Sequence, residues 1–166
     1  MAITEKQKED AILARGQILS VSSDLEFVTN EIIVALIIPK SASDDITSEG
    51  LLEAFILRHL TLRKKMELVK DGLTSIGLFD EVREIFNEIN GTFIPVRNKA
   101  AHSLPWYGQE EIGFGGLEFE KSNGEIVLKQ AKLSMDDWGK FCDDFKNKIK
   151  KLREIKNKVA SVVIKK

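Results

Sequence analysis

Arg97, Asn98 and His102 bring a guanidinium, a carboxamide and one of the chain's two imidazoles into the stretch Arg97-Asn98-Lys99-Ala100-Ala101-His102. Histidine moves protons near neutral pH, and arginine holds two phosphate oxygens at once without losing its charge. Such a pair suits attack of a ribose 2'-hydroxyl on its neighbouring phosphodiester. One group takes the hydroxyl proton, one protonates the leaving oxygen, and a cation sits on the phosphate. No metal is needed for that reaction. Asn98 would fix the His102 tautomer or bond a ribose hydroxyl. The competing reading pairs Arg97 with a nearby carboxylate and makes His102 a C-terminal helix residue favoured by the helix dipole.

Spacing decides which of these groups meet. A helix turns roughly 100° per residue, so Asn98 and His102, four apart, share a face, whereas Arg97 and His102 stand about 140° apart. Arg97 must then curl back along the helix, or a second copy of the same helix must complete the site about a two-fold axis.

An Arg, a polar residue, three further residues and a His, on a late helix of a small helical protein, resemble the mark of the HEPN family. The resemblance rests on Arg97, Asn98 and His102, and the matching helical arrangement runs over residues 5 to 163. It implies an all-α, HEPN-like bundle of about five helices and a metal-independent endoribonuclease of defence or stress, toxin-like type. The implied site lies across a homodimer, takes RNA as substrate and uses no cofactor. His102 would act on the 2'-hydroxyl or the leaving oxygen, Arg97 would hold the phosphate, and Asn98 would orient them. A protein partner such as an antitoxin fits the same reading. The alternative is a catalytically inactive HEPN-like module that binds a protein or a nucleotide. Lys99, Trp106 and Tyr107 are the neighbouring candidates for contact with RNA, the two aromatics by stacking on bases. Aromatics following a helix also serve as packing anchors.

The elements that must carry this set follow from apolar periodicity. Ala11, Ile12, Ile18, Leu19 and Val21 predict a helix over residues 4 to 21. Ser23 and Glu26 read as a capping box opening a second helix over 24 to 38, stopped by Pro39, with a loop over Lys40 to Asp45. Leu52 through Val69 predict a long third helix closed by Gly72. Phe79 to Ile89 read as a short amphipathic segment ended by Asn90-Gly91. Thr92 would then cap a motif helix over 93 to 103, with Phe93, Val96 and Ala100 as its buried stripe. Ser103-Leu104-Pro105 ends it. Asn123-Gly124 between two alternating runs predicts a small β-hairpin insert over about 112–129. Ser134 and Asp137 cap a final helix whose stripe runs from Trp138 through Phe141, Phe145, Ile149, Leu152, Ile155 and Val159 to Val162.

With 166 residues and 43% of them hydrophobic, the chain is expected to form a single domain over 1-166 with a substantial core. Cys142 stands alone, so no intramolecular disulfide forms, and it reads as a small core residue. The absence of a leading apolar segment and of any run long enough to span a bilayer points to a cytoplasmic, non-membrane protein. A net charge of −1 argues against a general nucleic-acid coat. Residues 140 to 166 nevertheless hold ten Lys or Arg against Asp143, Asp144 and Glu154, a basic stretch read as a solvated face or a polyanion-binding one. His59, beside two arginines on a predicted helix, is given no role. Kinase, dehydrogenase, zinc-enzyme and α/β-hydrolase readings lack their phosphate loops, metal spacings and nucleophile elbow.

Overall fold

The computed structural model describes residues 3–38, 50, 52, 56–107, 112–120 and 125–163. The chain is mostly helical. Five α-helices have both ends described: α1 (Glu5–Ile37), α2 (Leu62–Ser75), α3 (Arg83–Glu88), α4 (Ile94–His102) and α5 (Met135–Val163); Gly50 and Leu52 are helical as well. Short 3-10 turns at Leu57–His59 and Phe79–Val82 precede α2 and α3. Three strands, β1 (Pro105–Tyr107), β2 (Ile112–Glu120) and β3 (Glu125–Leu133), lie between α4 and α5 in the antiparallel order β1-β2-β3. None of the described helices is long and apolar enough to cross a membrane.

Two compact units emerge, Met1–Ser22 with Gly91–Lys146 and Ser23–Asn90 with Asn147–Lys166. In the first, Phe93 packs against Phe141 and Phe145, and Trp138 against Phe141 and Phe114. The buried Trp138 Nε1 donates to the Ile112 carbonyl at 3.0 Å, so the indole joins α5 to β2 without leaving its polar atom unpaired. In the second, Val28, Ile32, Met66, Leu73, Phe86, Leu152 and Val159 are buried. Lys65, only 1% exposed, meets the Glu26 carboxylate at 2.5 Å. Removing the partner of a fully buried charge costs about 3–5 kcal/mol; the loss here is smaller, because Glu26 is 40% exposed.

Four elements differ from their sequence-based expectation. The first two predicted helices are one, α1, because Ala11, Ala14, Ile18, Val21, Leu25, Val28 and Ile32 are all buried at alternating spacings of three and four straight through the supposed break. Glu26 serves Lys65 instead of a cap. The third helix is interrupted at Leu60, whose backbone is extended, and Thr61 caps a fresh start by accepting from Lys64 N at 3.3 Å. It then runs past Gly72, where a Cβ would lie 2.5 Å from Leu36 Cδ1, so that glycine permits a close approach of α1 and ends nothing. Gly77 does the ending. Its φ of 75°, with Gly77 N donating to Thr74 O and Leu78 N to Leu73 O, forms a Schellman motif.

Asn90-Gly91 does not break the chain either, and Thr92 is no cap: Ile89–Phe93 form a π-helical turn that joins α3 to α4. Asn90 Nδ2 donates to the Phe86 carbonyl at 3.0 Å, and Ile89 and Phe93 are both buried. Pro95 has no N–H to give, so the irregular turn falls where the regular ladder would fail in any case. The insert also gains a strand. β1 pairs Pro105 with Phe114 and Tyr107 with Ile112, and β3 extends the hairpin to Leu133. Pro105 is tolerated as the first residue of an edge strand. The predicted Pro39 stop, the loop over Lys40 to Asp45 and the Asn123-Gly124 turn lie outside the described residues.

The α5 cap is present as expected: Asp137 N donates to Ser134 Oγ at 3.2 Å, and Ser134 Oγ donates to Asp137 Oδ2 at 2.7 Å. The Ser134 hydroxyl, then Lys140, holds the Asp137 carboxyl below its ordinary value. A carboxyl depressed by folding adds stability above its unfolded pKa and loses it as pH falls through the folded one. The gap in urea midpoint between the native chain and Asp137→Asn should therefore be present at pH 7 and close as the pH falls through the carboxylate range. Gly77→Ala should lower the unfolding free energy by about 1–2 kcal/mol, the cost of a Cβ in the left-handed region, measured by urea denaturation at pH 7.

Candidate functional site

The motif helix occupies Ile94–His102, one residue shorter at each end than expected, and belongs wholly to the first unit. Phe93, Ile94 and Ala100 are its buried side, with Val96 only half-buried. Burying that side leaves Asn98 and His102 exposed and Arg97 half-buried.

Arg97 is the best-fixed member of the set. Its Nε donates to Ser22 Oγ of α1 at 3.1 Å, and its Nη1 donates to Asn98 Oδ1 at 3.1 Å. A guanidinium has five N–H donors in a rigid fork, and among the described residues no acceptor takes the other three. Ser22 itself is 3% exposed, which makes it a rigid anchor.

His102 stands apart from both partners. Among the described residues no hydrogen bond joins it to Arg97 or Asn98. The expected meeting of Asn98 and His102 is pre-empted because the Asn98 carbonyl is turned to Arg97. Within one chain, therefore, the structure brings together Arg97 and Asn98 and presents His102 separately on the last turn of the same helix. Lys99 is half-buried, Tyr107 is half-buried on β1, and Trp106 sits opposite Gly113 in the β1–β2 register, its side chain outside the described part.

A second arginine, unnoticed in the sequence, holds the end of this helix. Arg15 on α1 donates from Nη2 to the Ser103 carbonyl at 2.6 Å and lies 5.3 Å from the centre of the Phe114 ring. It thereby satisfies a carbonyl at the α4 C-terminus, one residue beyond His102, and links α1 to β2. Arg15 and Ser22 are seven residues apart, one face of a continuous helix. That spacing is the signal for them, and dividing α1 near Ser23 concealed it.

The other titratable groups add little. Burial pushes the Cys142 thiol up from its ordinary value, so it is held as a neutral thiol and is no activated nucleophile. His59 is exposed on the 3-10 turn. Among the described residues no three His, Cys, Asp or Glu gather as a metal site. On α5, Lys140, Lys146, Lys148, Lys156 and Lys158 form ion pairs with Asp137, Asp143, Glu88, Glu31 and Glu81. Much of the basic run is thus neutralised locally, as a solvated face would be.

No family model, curated protein or solved structure matches the chain. The functional reading therefore stands on this geometry and on the motif.

Ser22→Ala should leave the Arg97 Nε–H without its acceptor and lower the unfolding free energy by about 1–2 kcal/mol, as expected for a part-buried bond to a charged group. Ser22→Thr, which restores a hydroxyl, should recover part of it in the same urea titration.

Proposed function

We propose that the chain is a HEPN-like, metal-independent endoribonuclease of toxin-like, defence or stress type, acting as a homodimer. The observation that carries the reading is the state of Arg97: fixed by Ser22 and Asn98, half-buried, with three N–H donors untaken among the described residues, on the helix whose last turn presents the exposed His102. A phosphate-binding cation gains from such fixing, since no reorganisation is then needed as charge develops on the phosphate.

In the proposed reaction the 2'-hydroxyl oxygen attacks the adjacent phosphorus and gives its proton to one His102. The bond from phosphorus to the 5'-oxygen breaks, and that oxygen takes a proton from the second protomer's imidazole. The products are a 2',3'-cyclic phosphate and a 5'-hydroxyl. Arg97 holds the non-bridging oxygens throughout. Two copies are required because one chain supplies a single imidazole in the motif, and because Arg97 and His102 are not joined within it. Apolar surface for self-association exists in the same unit: Ile12 is 73% exposed and Leu13 53% on α1, and Leu104, two residues after His102, is 85% exposed.

The separation of His102 from Arg97 and Asn98 also suits the alternative, a catalytically inactive HEPN-like module binding a protein or a nucleotide. RNA cleavage in EDTA separates the two. The native chain should convert mixed cellular RNA to fragments ending in 2',3'-cyclic phosphate, and His102→Ala should slow this by about 10²–10⁴-fold, the usual contribution of general acid–base catalysis. Arg97→Ala should do the same. Absence of cleavage by a folded native chain would favour the binding module.

A further inference from the structure

The second unit contains a cleft of about 400 Å³ built from residues that the α4 site does not use. That volume lies within the range of roughly 300–1,000 Å³ typical of small-ligand sites. Its floor is apolar: Met66 is 1% exposed, Phe86 2% and Phe79 9%. Phe79 and Phe86 meet edge to face with ring centres 5.4 Å apart, which fixes the floor. Three cations, Arg63, Lys70 and Arg83, and two carboxamides, Asn87 and Asn90, form the rim.

The charges on that rim are not balanced. Glu67 is the single carboxylate in the lining, and Lys64, outside the cleft, takes it at 2.8 Å. Arg83 pairs with Asp80. Arg63 and Lys70 have no ion pair among the described residues, although they lie seven apart on one face of α2 and both act on Glu67, whose carboxyl the Lys64 bond and their fields hold below its ordinary value. Lys70 Nζ and the Arg83 guanidinium also share one phenyl ring, at 5.9 and 5.4 Å from the Phe79 centre. Both charges thus stand within about 6 Å of one ring centre, and an anion near that ring lowers the repulsion between them.

We propose that this cleft binds phosphate groups, held by Arg63, Lys70 and Arg83 above the Phe79 floor. Phosphate suits the set better than a carboxylate does, because its oxygens address several cations at once and a guanidinium takes two of them in parallel. The carboxamides of Asn87 and Asn90 offer further donors; Asn90 already spends one on the Phe86 carbonyl. This site does not depend on the α4 reading and would persist in a protein that cuts nothing.

Phosphates of this kind come either from a free phosphorylated small molecule or from a nucleic-acid strand, and two probes separate the sources. Tripolyphosphate represents the first, and a short 2'-O-methyl oligoribonucleotide, which has no 2'-hydroxyl and cannot be cleaved by the proposed reaction, represents the second. Calorimetric titration of the whole native chain should show binding of at least one. Arg63→Ala with Lys70→Ala should weaken it by about tenfold or more, as expected for the loss of charge-assisted bonds. Lys150→Ala with Lys151→Ala, an exposed pair on α5 outside the cleft, should leave it within about twofold. Tighter binding of tripolyphosphate assigns the cleft to a free phosphorylated ligand, and tighter binding of the oligonucleotide assigns it to a strand. No binding of either probe at millimolar concentration, or equal losses in the two double variants with native circular dichroism, overturns the proposal.

Discussion

An uninterrupted apolar stripe on α1 is the constraint on which the rest depends. From Ala11 to Ile32 it alternates steps of three and four without a gap, and both compact units draw on it. The first unit takes Ala11, Ala14, Ile18 and Val21, and the second takes Leu25, Val28 and Ile32. Because the stripe stays in phase, the polar residues flanking it stay in phase too. Arg15 and Ser22 therefore reach the motif helix from one face, and Glu26 reaches Lys65 of α2.

Polar groups then do local work according to how they are paired. The basic run of α5 is answered by carboxylates from α1, the 3-10 turn, α3 and its own preceding turn, so its charge is spent on holding surfaces together. Exposed pairs of this kind contribute little each, about 0–1 kcal/mol. Arg63 and Lys70 on α2 are different, since the carboxylate beside them is already engaged by Lys64. Arg97 is different again: its anchor is a neutral hydroxyl, and among the described residues no carboxylate offsets its charge. Net charge near zero conceals these three situations, and only the pairing distinguishes them.

The motif helix shows how a backbone irregularity can be placed without loss. Asn90, Gly91 and Pro95 each resemble a helix boundary, and together they suggest a loop. A π-helical turn over Ile89–Phe93 contains the first two and runs straight into the helix that holds Pro95, with the Asn90 side chain bonding a carbonyl of the preceding turn and Ile89 and Phe93 buried. At the far end of the motif helix, Arg15 secures the Ser103 carbonyl.

Much of this was legible in the residues themselves. The stripe of α5, its Ser134–Asp137 cap, the helical character of the motif segment and the antiparallel insert before α5 all follow from local periodicity and turn chemistry, which depend on near neighbours alone. Arg97, Asn98 and His102 announce themselves by type and spacing. Tertiary packing decided the remainder. Ser23 with Glu26 and Gly72 are valid local start or stop signals, yet each was overruled where a distant partner, Lys65 or Leu36, takes the residue up, while Asn90-Gly91 was absorbed by a π-helical turn. Which groups meet Arg97 was likewise beyond the reach of spacing, because its anchor lies seventy-five residues away on α1. Sequence determined the periodic faces and the chemical groups they carry; the fold determined which of those groups found partners, because pairing depends on distances that only packing sets.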